Sequence, residues 1–326
     1  MVIEYLGETL SGVHVESLKP PRLHAGDLIG IVSPASTIAD PSRIDRGVTY
    51  LEKLGYRTVV GKHVLKSYGY LAGTDAERVE DLHAMFRNPD VKAIMCIRGG
   101  YGTPRILSMV DYRLIARNPK IFVGYSDITS LQLALWKKSH LITFQGPMVG
   151  VDFPDGLDTV TESLFWHLLT SPKKAGAVLP AEEHVETLRP GKATGRLVGG
   201  NLAHIVASMG TPFLPSFKGM LVFLEDIGEE PYRIDRMMTQ LRHGGILAGA
   251  AGILTGQFTD CGPKDPAKPS LSVDDVFREM AALHRTPFLS HVPFGHEARK
   301  ITIPLGLRAR MDASKHTLEY LEGAVR

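Results

Sequence analysis

The stretch "KIFVGYSDITSLQLALW", residues 120–136, joins a short apolar run to a longer periodic one. Residues 121–123 are typical of a buried strand, and from Asp127 onward apolar residues recur at helical spacing. Ser126 therefore lies at the corner where a strand becomes a helix. A serine there can be a nucleophile beside backbone N–H groups that bind an anion, or simply the N-cap of the helix. The stretch alone leaves both open, because "GYSDI" lacks the second glycine of G-x-S-x-G and Asp127 or Thr129 could also cap.

Predicted strands and helices alternate on both sides of this corner. A capping box at Thr74 and Glu77 marks the start of one of these helices. Such alternation favours an α/β fold with a mostly parallel sheet covered on both faces. The other predicted elements of this part are strands within 27–36, 57–60, 91–97 and 140–147 and a helix within 41–56.

The composition changes after about residue 155. Residues 170–195 are rich in proline, glycine and charge, which is typical of an interdomain linker with short strands at most. Beyond them, apolar strands are predicted within 219–226 and 250–258, helices within 231–244 and 272–284, and antiparallel strands within 300–323. We therefore predict an N-terminal arm (1–24), a Rossmann-like domain (25–168), a linker (169–194) and a smaller C-terminal α/β domain (195–326).

Bulk properties exclude several classes of protein. The chain has 326 residues, 44% of them hydrophobic and 22% charged, with a formal net charge of +2. No Lys/Arg run indicates nucleic-acid binding, no apolar run approaches the roughly 18 residues of a membrane span, and no signal peptide is evident. Cys96 and Cys261 are far apart and form no C-x-x-C pair. We expect a cytosolic protein without disulfides.

A second motif, "CIRGGYGTPRIL" (96–107), places glycines at the end of a predicted buried strand. Glycines there let a ligand approach the backbone closely, although a plain tight turn explains them equally well. The spacing is neither a dinucleotide fingerprint nor a P-loop. If Ser126 is a nucleophile, the N–H groups of Gly100 and Asp127 could together bind an oxyanion.

Two further motifs carry a carboxylate and an imidazole. Glu225 ends an apolar strand in "LVFLEDIGEEPYRIDRMM" (221–238), whose other charges suit a salt-bridged helix start. His296 follows a glycine in "HVPFGHEARKITIPLG" (291–306), and as one of thirteen histidines it could be incidental. No histidine stands at metal-ligand spacing from the acidic cluster of this segment, which comprises Glu225, Asp226, Glu229 and Glu230. Ser126, Glu225 and His296 could form a nucleophile, an orienting carboxylate and a general base, but sequence order alone cannot show that they meet.

These segments resemble the LD-carboxypeptidase family, the S66 serine peptidases often called muramoyltetrapeptide carboxypeptidases. The resemblance runs from about Gly26 to near the C-terminus. It rests on six motifs in the family's order: "GYLAGTDAERVEDLHAMF", "IRGGYG", "GYSDIT", "GRLVGGNLAHI", "FLEDIGEEPYRIDRM" and "PFGHEARKITIPLG".

The resemblance implies a catalytic triad of Ser126, Glu225 and His296, with the backbone N–H groups of Gly100 and Asp127 as the oxyanion hole. It implies hydrolysis of the L,D-peptide bond between diaminopimelate (or lysine) and the terminal D-Ala of a murein tetrapeptide, in the cytoplasm, during cell-wall recycling. No metal or cofactor is expected, and we expect a homodimer. The residues that we expect to contact the substrate, with arginines for its free carboxylate, are Arg98, Tyr101, Arg233 and Arg236.

Two rival functions stay open at this stage. One is the microcin C self-immunity type, which hydrolyses an amide in a peptidyl- or aminoacyl-nucleotide and would require an aromatic surface for the base. We find no such surface, since Trp136 and Trp166 both look like helix or core residues. The other is a non-enzymatic protein that binds a ligand in the same cleft, whose function would survive Ser126→Ala unchanged.

Overall fold

The computed structural model describes residues 16–265 and 267–326. Its strands form two sheets, one of six strands and one of eight. The expected α/β class, with a mostly parallel sheet in the N-terminal part and a second α/β unit, is confirmed.

The first sheet has five parallel strands and one antiparallel strand. In chain order they are β1 (Leu28–Val32), β2 (Arg57–Val60), β3 (Val91–Cys96), β4 (Ile121–Val123), β5 (Thr143–Gln145) and β12 (Ile303–Leu305). Across the sheet the order is β12-β5-β4-β3-β1-β2. The order of the parallel strands reverses at β1 and β3, so a crevice opens beyond their carboxyl ends. Residues 98–102 lie in this region.

Helices connect these strands. They are α1 (Ser42–Lys53), α2 (Asp75–Arg87), α3 (Thr103–Ile106), α4 (Tyr112–Arg117), α5 (Ile128–Ser139) and α6 (Thr159–Thr170). The predicted capping box is present at the start of α2: Thr74 Oγ1 accepts from the Glu77 N–H, and the Glu77 carboxylate accepts from the Thr74 N–H. Both bonds satisfy N–H groups that the helix itself leaves unpaired.

The second sheet is mixed. Its strands are β6 (Gly176–Ala177), β7 (Glu186–Arg189), β8 (Lys192–Asn201), β9 (Leu221–Ile227), β10 (Gly252–Thr259), β11 (Phe288–Ser290), β13 (Arg308–Asp312) and β14 (Thr317–Tyr320). Four central strands, β8 to β11, run parallel, and the outer strands are antiparallel. Its helices are α7 (Leu202–Ala207), α8 (Pro231–His243) and α9 (Val273–Leu283).

The two units are joined by more than the chain between them. Strand β12 belongs to the predicted C-terminal domain, yet it pairs with β5 of the first sheet, with Pro304 opposite Phe144. The predicted linker, 169–194, contributes β6, β7 and the first residues of β8 to the second sheet. The predicted domain bounds stay predictions, and parts of the predicted linker and C-terminal domain pair with strands outside their own segments.

The part of the predicted arm that the structure describes, residues 16–24, lies against the body of the protein. The Leu18 N–H donates to His140 O, and Leu23 is buried with its N–H bonded to Leu169 O. Residues 1–15 of that arm lie outside the described residues. None of the helices within 16–265 and 267–326 has the length and apolar character needed to cross a membrane.

Both faces of the first sheet are covered by apolar side chains. One face packs Ile94 and Phe122 against Phe86, Ile128 and Leu131. The opposite face belongs to a cluster that continues into the second sheet, and this shared core holds the two units together. The carboxyl ends of β4 and β9 thus belong to one packed body.

Candidate active site

Ser126 stands in a sharp turn between β4 and α5. Its backbone has a φ of +63°, in the left-handed region that residues other than glycine rarely adopt. Strain of this kind persists only where the surrounding structure imposes it, and it turns the serine side chain out of the helix. The alternative that Ser126 caps α5 is not supported, because the N-cap position is Asp127 and α5 has no side-chain cap hydrogen bond.

The glycine turn after β3 lies against this serine. A Cβ added to Gly99 would lie 2.8 Å from Ser126 Cβ, 3.0 Å from Ser126 Oγ and 3.2 Å from the Asp127 nitrogen. Any side chain at residue 99 would therefore collide with the elbow, the turn formed by residues 124–127 between β4 and α5. The glycine at this position is explained by close approach of the backbone to Ser126, which the plain-turn alternative does not require.

Two backbone N–H groups beside Ser126 are free to bind an anion. Among the hydrogen bonds of the described residues, none uses the N–H of Gly100 or of Asp127. Gly100 has a φ of +104°, and a Cβ there would lie 2.4 Å from Ser36 Oγ. The predicted oxyanion donors thus lie on the two segments, elbow and glycine turn, that meet at Gly99.

His296 and Glu225 are in direct contact. The imidazole Nδ1 lies 2.7 Å from Glu225 Oε2, and an ionised carboxylate can only accept, so Nδ1 carries the proton that is shared. Glu225 is completely buried near the carboxyl end of β9, and the side chain of His296 is 13% exposed. The other carboxylate oxygen of Glu225, Oε1, is buried without a hydrogen-bond partner among the described residues. Among the described residues, the only hydrogen-bond partner of the Glu225 carboxylate is therefore the His296 imidazole.

The neighbouring carboxylate has a different environment. Asp226 accepts from Asn201 Nδ2 and from the N–H groups of Ala203 and Ile227, each at 2.9 Å. Burial, followed by the nearby charge of Glu225, raises the pKa of Asp226 to about 6. Its three donors belong to the backbone and to an amide, and none is an imidazole. Asp226 thus supports the start of α7, while Glu225 faces His296.

Two local features hold His296 beside the elbow. Gly295 has a φ of +121°, and a Cβ there would lie 3.3 Å from Glu225 Oε2, so only glycine lets the histidine turn approach β9 this closely. On the other side, the His296 ring meets the ring of Tyr125 edge-on at 5.0 Å between centroids. Tyr125 directly precedes Ser126. The imidazole from the second unit therefore packs against the residue next to the serine of the first.

The second unit also touches the helix that follows Ser126. The Asn201 N–H donates to Thr129 Oγ1 at 3.0 Å, and a Cβ on Gly200 would lie 2.5 Å from that hydroxyl. On α7, His204 Nδ1 lies 3.1 Å from Ser130 Oγ. The hydrogen bonds of the described residues include none between Ser126 Oγ and His296, and such catalytic bonds are often long until substrate is bound.

This arrangement of a strained serine, a carboxylate–imidazole pair and free backbone donors agrees with what the comparisons find. The model of the LD-carboxypeptidase N-terminal domain matches residues 29–146, and that of the LD-carboxypeptidase C-terminal domain matches residues 194–311. The chain belongs to the LD-carboxypeptidase family. The resemblance expected from the motifs is thereby confirmed, and with it a serine carboxypeptidase activity.

Relatives of this LD-carboxypeptidase include murein peptide carboxypeptidases and a microcin self-immunity protein. A probable murein peptide carboxypeptidase of Bacillus subtilis is 42% identical over 94% of this chain and 96% of its own. The crystal structure of muramoyltetrapeptide carboxypeptidase from Oxalobacter formigenes superposes with a TM-score of 0.79 at 31% identity, covering 90% of this chain and 97% of that one. The microcin C7 self-immunity protein MccF of Escherichia coli is 30% identical over 92% of this chain and 94% of its own.

A cavity of about 230 Å³ lies beside His296 in this LD-carboxypeptidase. Lys300 Nζ lies 2.7 Å from Asp152 Oδ1 and 4.4 Å from the centre of the Tyr125 ring, and the lysine is 4% exposed. Burial, followed by the charges of Asp152 and Glu225, raises the pKa of Tyr125 well above its usual range. None of these three residues is predicted from the sequence, where Asp152 and Lys300 appear only as single charges next to apolar residues.

The residues predicted to contact substrate have different surroundings. Arg98 adjoins the glycine turn: Nη2 would lie 3.5 Å from a Cβ on Gly100, and its buried Nε has no hydrogen-bond partner among the described residues. Tyr101 is 44% exposed in the same turn. Arg233 and Arg236 lie on α8, each 5.8 Å from the ring of Tyr232. No contact between described residues joins either α8 arginine to Ser126 or His296, and all four roles stay predictions.

Within residues 16–265 and 267–326 there is no cluster of three or more histidine, cysteine, aspartate or glutamate side chains that could hold a metal ion. The acidic residues near Glu225 are used in other ways, for example Glu229 in an ion pair with Arg233 at 3.5 Å.

Proposed function

We propose that this LD-carboxypeptidase hydrolyses the L,D-peptide bond between diaminopimelate or lysine and the terminal D-alanine of murein tetrapeptides, as a step of cell-wall recycling. Ser126 is the nucleophile, His296 the general base and Glu225 the residue that orients it. The observation that carries the assignment is the 2.7 Å contact between His296 and the buried Glu225, beside a serine in a strained turn.

In the first half of the reaction, Ser126 Oγ attacks the carbonyl carbon of the scissile amide and His296 Nε2 takes the hydroxyl proton. The N–H groups of Gly100 and Asp127 bind the oxygen that becomes negative. The imidazolium then gives its proton to the nitrogen of D-alanine, the C–N bond breaks, and an acyl-enzyme remains. Throughout, the Glu225 carboxylate holds the Nδ1–H tautomer and stabilises the imidazolium.

In the second half, His296 removes a proton from water as the water oxygen attacks the ester carbonyl. The same two N–H groups stabilise the second tetrahedral intermediate. Its collapse breaks the bond to Ser126 Oγ, which recovers its proton from His296. The products are free D-alanine and the murein tripeptide, and no cofactor is consumed.

The test compares four substrates with wild-type enzyme. They are L-Ala-γ-D-Glu-meso-diaminopimelate-D-Ala, the same peptide with lysine at position three, the same peptide ending in L-Ala, and aspartyl sulfamoyl adenosine. Free alanine and free aspartate are quantified by mass spectrometry. We expect D-alanine release from one or both D-Ala peptides, and at least about 100-fold less from the L-Ala peptide, because a wrong stereocentre misaligns the scissile bond.

The fourth substrate, aspartyl sulfamoyl adenosine, is an analogue of an aminoacyl adenylate and tests a second candidate function. A structure of MccF in complex with aspartyl sulfamoyl adenosine is similar to this chain with a TM-score of 0.86, at 26% identity over 95% of this chain and 100% of that one. Turnover of the adenylate with no D-alanine release from either peptide would overturn the murein assignment in favour of a nucleotide-linked amide.

We also propose that the enzyme works in the cytoplasm as a homodimer, on small peptides and not on nucleic acid or membranes. Both cysteines are free and buried, which supports a reducing compartment, where proteins rarely form disulfides. Light scattering after size exclusion should give twice the chain mass of 35.7 kDa. The mass of one chain would contradict the dimer.

A further inference from the structure

The Asp127 carboxylate makes contacts that neither capping nor the proposed reaction explains. It is completely buried at the start of α5, yet it does not cap that helix. Instead, Oδ1 accepts from the Gly102 N–H and Oδ2 accepts from the Thr103 N–H, both at 2.9 Å. In return, Thr103 Oγ1 donates to the Asp127 carbonyl at 2.6 Å. Three bonds thus tie the elbow to the end of the glycine turn.

The rest of the glycine turn is fixed just as tightly. Arg78 Nη1 donates to Gly102 O at 2.9 Å, and this arginine is 2% exposed. Ser36 Oγ accepts from the Tyr101 N–H at 3.0 Å. Residues 101 to 103 are therefore held from three directions. Gly100, which immediately precedes them, carries an N–H for which no hydrogen-bond partner is found among the described residues.

We propose that the Asp127 side chain is a positioning residue that sets the distance and angle between the two oxyanion-binding N–H groups. Its own N–H is one donor, and its carboxylate fixes the turn that carries the other, that of Gly100. The inference rests on the proposed function, since it presumes a tetrahedral intermediate on Ser126. Donors that are already oriented stabilise a transition state because they need not reorganise when charge develops.

A contact with the second unit extends this arrangement. His204 Nε2, on α7, lies 3.7 Å from Asp127 Oδ1, while its Nδ1 faces Ser130 Oγ. The positioning carboxylate thus touches elbow, glycine turn and second unit at once. Two other charged groups lie near it. Burial lowers the pKa of Arg78 overall, although the charges of Asp75 and Asp127 oppose the shift. Glu225 lies beyond His204 and acts on that histidine together with Asp127.

The first test is Asp127→Asn. An asparagine has one accepting oxygen, and its NH₂ would face the second N–H donor, so the turn must shift. We expect kcat for the murein tetrapeptide to fall about 100-fold while KM changes less than about threefold, since only the transition state uses the oxyanion donors.

A second readout isolates the oxyanion site. A tripeptide analogue with a boronic acid in place of the scissile carbonyl carbon forms a tetrahedral adduct, as Ser126 Oγ bonds to boron and its proton passes to His296. One boron oxygen then occupies the oxyanion position. The affinity of the analogue should fall about as much as kcat does. Binding of intact tetrapeptide, measured in a Ser126→Ala background with and without Asp127→Asn, should change less than about threefold.

The control is Asp81→Asn, which alters a matched buried carboxylate on α2. Asp81 is 5% exposed and accepts from the His63 N–H and from His63 Nδ1 at 2.9 and 3.0 Å. The Asp81→Asn variant should be less stable than wild type, but it should bind the boronic acid analogue with unchanged affinity. If Asp127→Asn does not fold, Thr103→Val removes only the hydroxyl bond to Asp127 O, and we expect about a tenfold loss by the same two measures.

The outcomes separate this inference from the proposed function. Unchanged boronic acid affinity in the folded Asp127 or Thr103 variants would overturn the positioning role, even if Ser126→Ala is inactive. A loss confined to KM would do the same. If instead the boronic acid forms no adduct with wild-type enzyme, or Ser126→Ala retains activity, the proposed function itself fails.

Discussion

Ser126 combines a strained backbone with a half-buried side chain. A φ of +63° costs a serine free energy that a glycine at the same position would not pay. Gly99 packs closely against the serine and Gly124 against Ile128, so the surroundings of the turn support its strained conformation. The strain at Ser126 therefore makes the folded protein less stable than it would be with a glycine at this position.

This strain predicts an order of stability among three proteins. Ser126→Gly should unfold at higher denaturant than wild type, with a gain of about 0.5 to 1 kcal/mol, whereas Ser126→Ala should gain nothing. Neither variant has a nucleophile, so both should be inactive. Urea unfolding of the three proteins measures the order. A Ser126→Gly variant less stable than Ser126→Ala would contradict the account of the elbow.

The contact between Glu225 and His296 predicts a purely chemical loss. Glu225→Gln preserves size but removes the charge that stabilises the imidazolium, so kcat/KM should fall by about 10³-fold or more, mostly in kcat. Asp226→Asn, next along the strand, is the matched control and should lose less than about tenfold. Steady-state kinetics decide between them, and equal losses in both variants would refute the orienting role.

At the residue level, the sequence located the three triad candidates because each stands where an element ends. Ser126 follows β4, Glu225 lies near the carboxyl end of β9, and His296 follows Gly295, all positions that favour function over packing. Tyr125, Asp152 and Lys300 could not be found this way. Their importance lies in a contact between three distant segments, and a single lysine or aspartate in sequence does not reveal its partner.

At the level of elements, strand β9 presents two adjacent carboxylates to different partners. Successive side chains of a strand point to opposite faces, so Glu225 meets His296 while Asp226 meets the start of α7. One strand thus serves a catalytic face and a structural face.

Asp226 should give the enzyme a measurable pH dependence of stability. Its pKa is raised from 3.8 to about 6 in the folded protein, so the folded state binds this proton more tightly than the unfolded state. Its contribution is complete below about pH 4 and is lost as the pH rises through 6, by on the order of 3 kcal/mol at most. The unfolding free energy of wild type minus that of Asp226→Asn should fall over this window. A flat difference would show that Asp226 titrates normally.

Several elements could be predicted because their local signals agree. The capping box is sufficient by itself to predict the start of α2, and the apolar runs are sufficient to predict β3 and β9. Strand β8 was less visible, because "GRLVGGN" contains glycines that weaken a strand pattern. The structure explains two of them by close contacts: Gly199 lies against the backbone of Phe223, and Gly200 against Thr129.

At the level of the whole molecule, a buried ion pair joins the segment after β5 to the segment before β12. Lys300 Nζ and Asp152 Oδ1 are 2.7 Å apart, and the Lys300 N–H also donates to Thr161 Oγ1 on α6. His296 lies four residues before Lys300. This pair therefore fixes the return of the chain from the second unit to the first.

The ion pair predicts a strongly non-additive pattern of stability. Lys300→Met leaves the Asp152 charge buried without its partner and should cost about 3 to 5 kcal/mol, and Asp152→Asn should cost a similar amount. The double variant removes both charges while its asparagine still accepts from Met148 N–H, so most of the loss should be recovered. Denaturant unfolding of the four proteins measures the coupling. Losses that simply add would contradict it.

The order of the two units along the chain could be predicted, but the pairing of a strand from the second unit with the sheet of the first could not. The change of composition after residue 155 and the two α/β patterns indicated two units. The pairing of β12 with β5 is invisible in sequence, because a three-residue apolar strand carries no information about which sheet it joins. That pairing brings the segment after His296 back to the first sheet.

The central claim is that residues of both units together cleave an L,D-peptide bond through Ser126. The most direct measurement is kcat/KM for D-alanine release from the murein tetrapeptide by wild type, Ser126→Ala and His296→Ala, each verified as folded. We predict a loss of roughly 10⁴-fold or more in both variants. Release by Ser126→Ala within about tenfold of wild type would contradict the account.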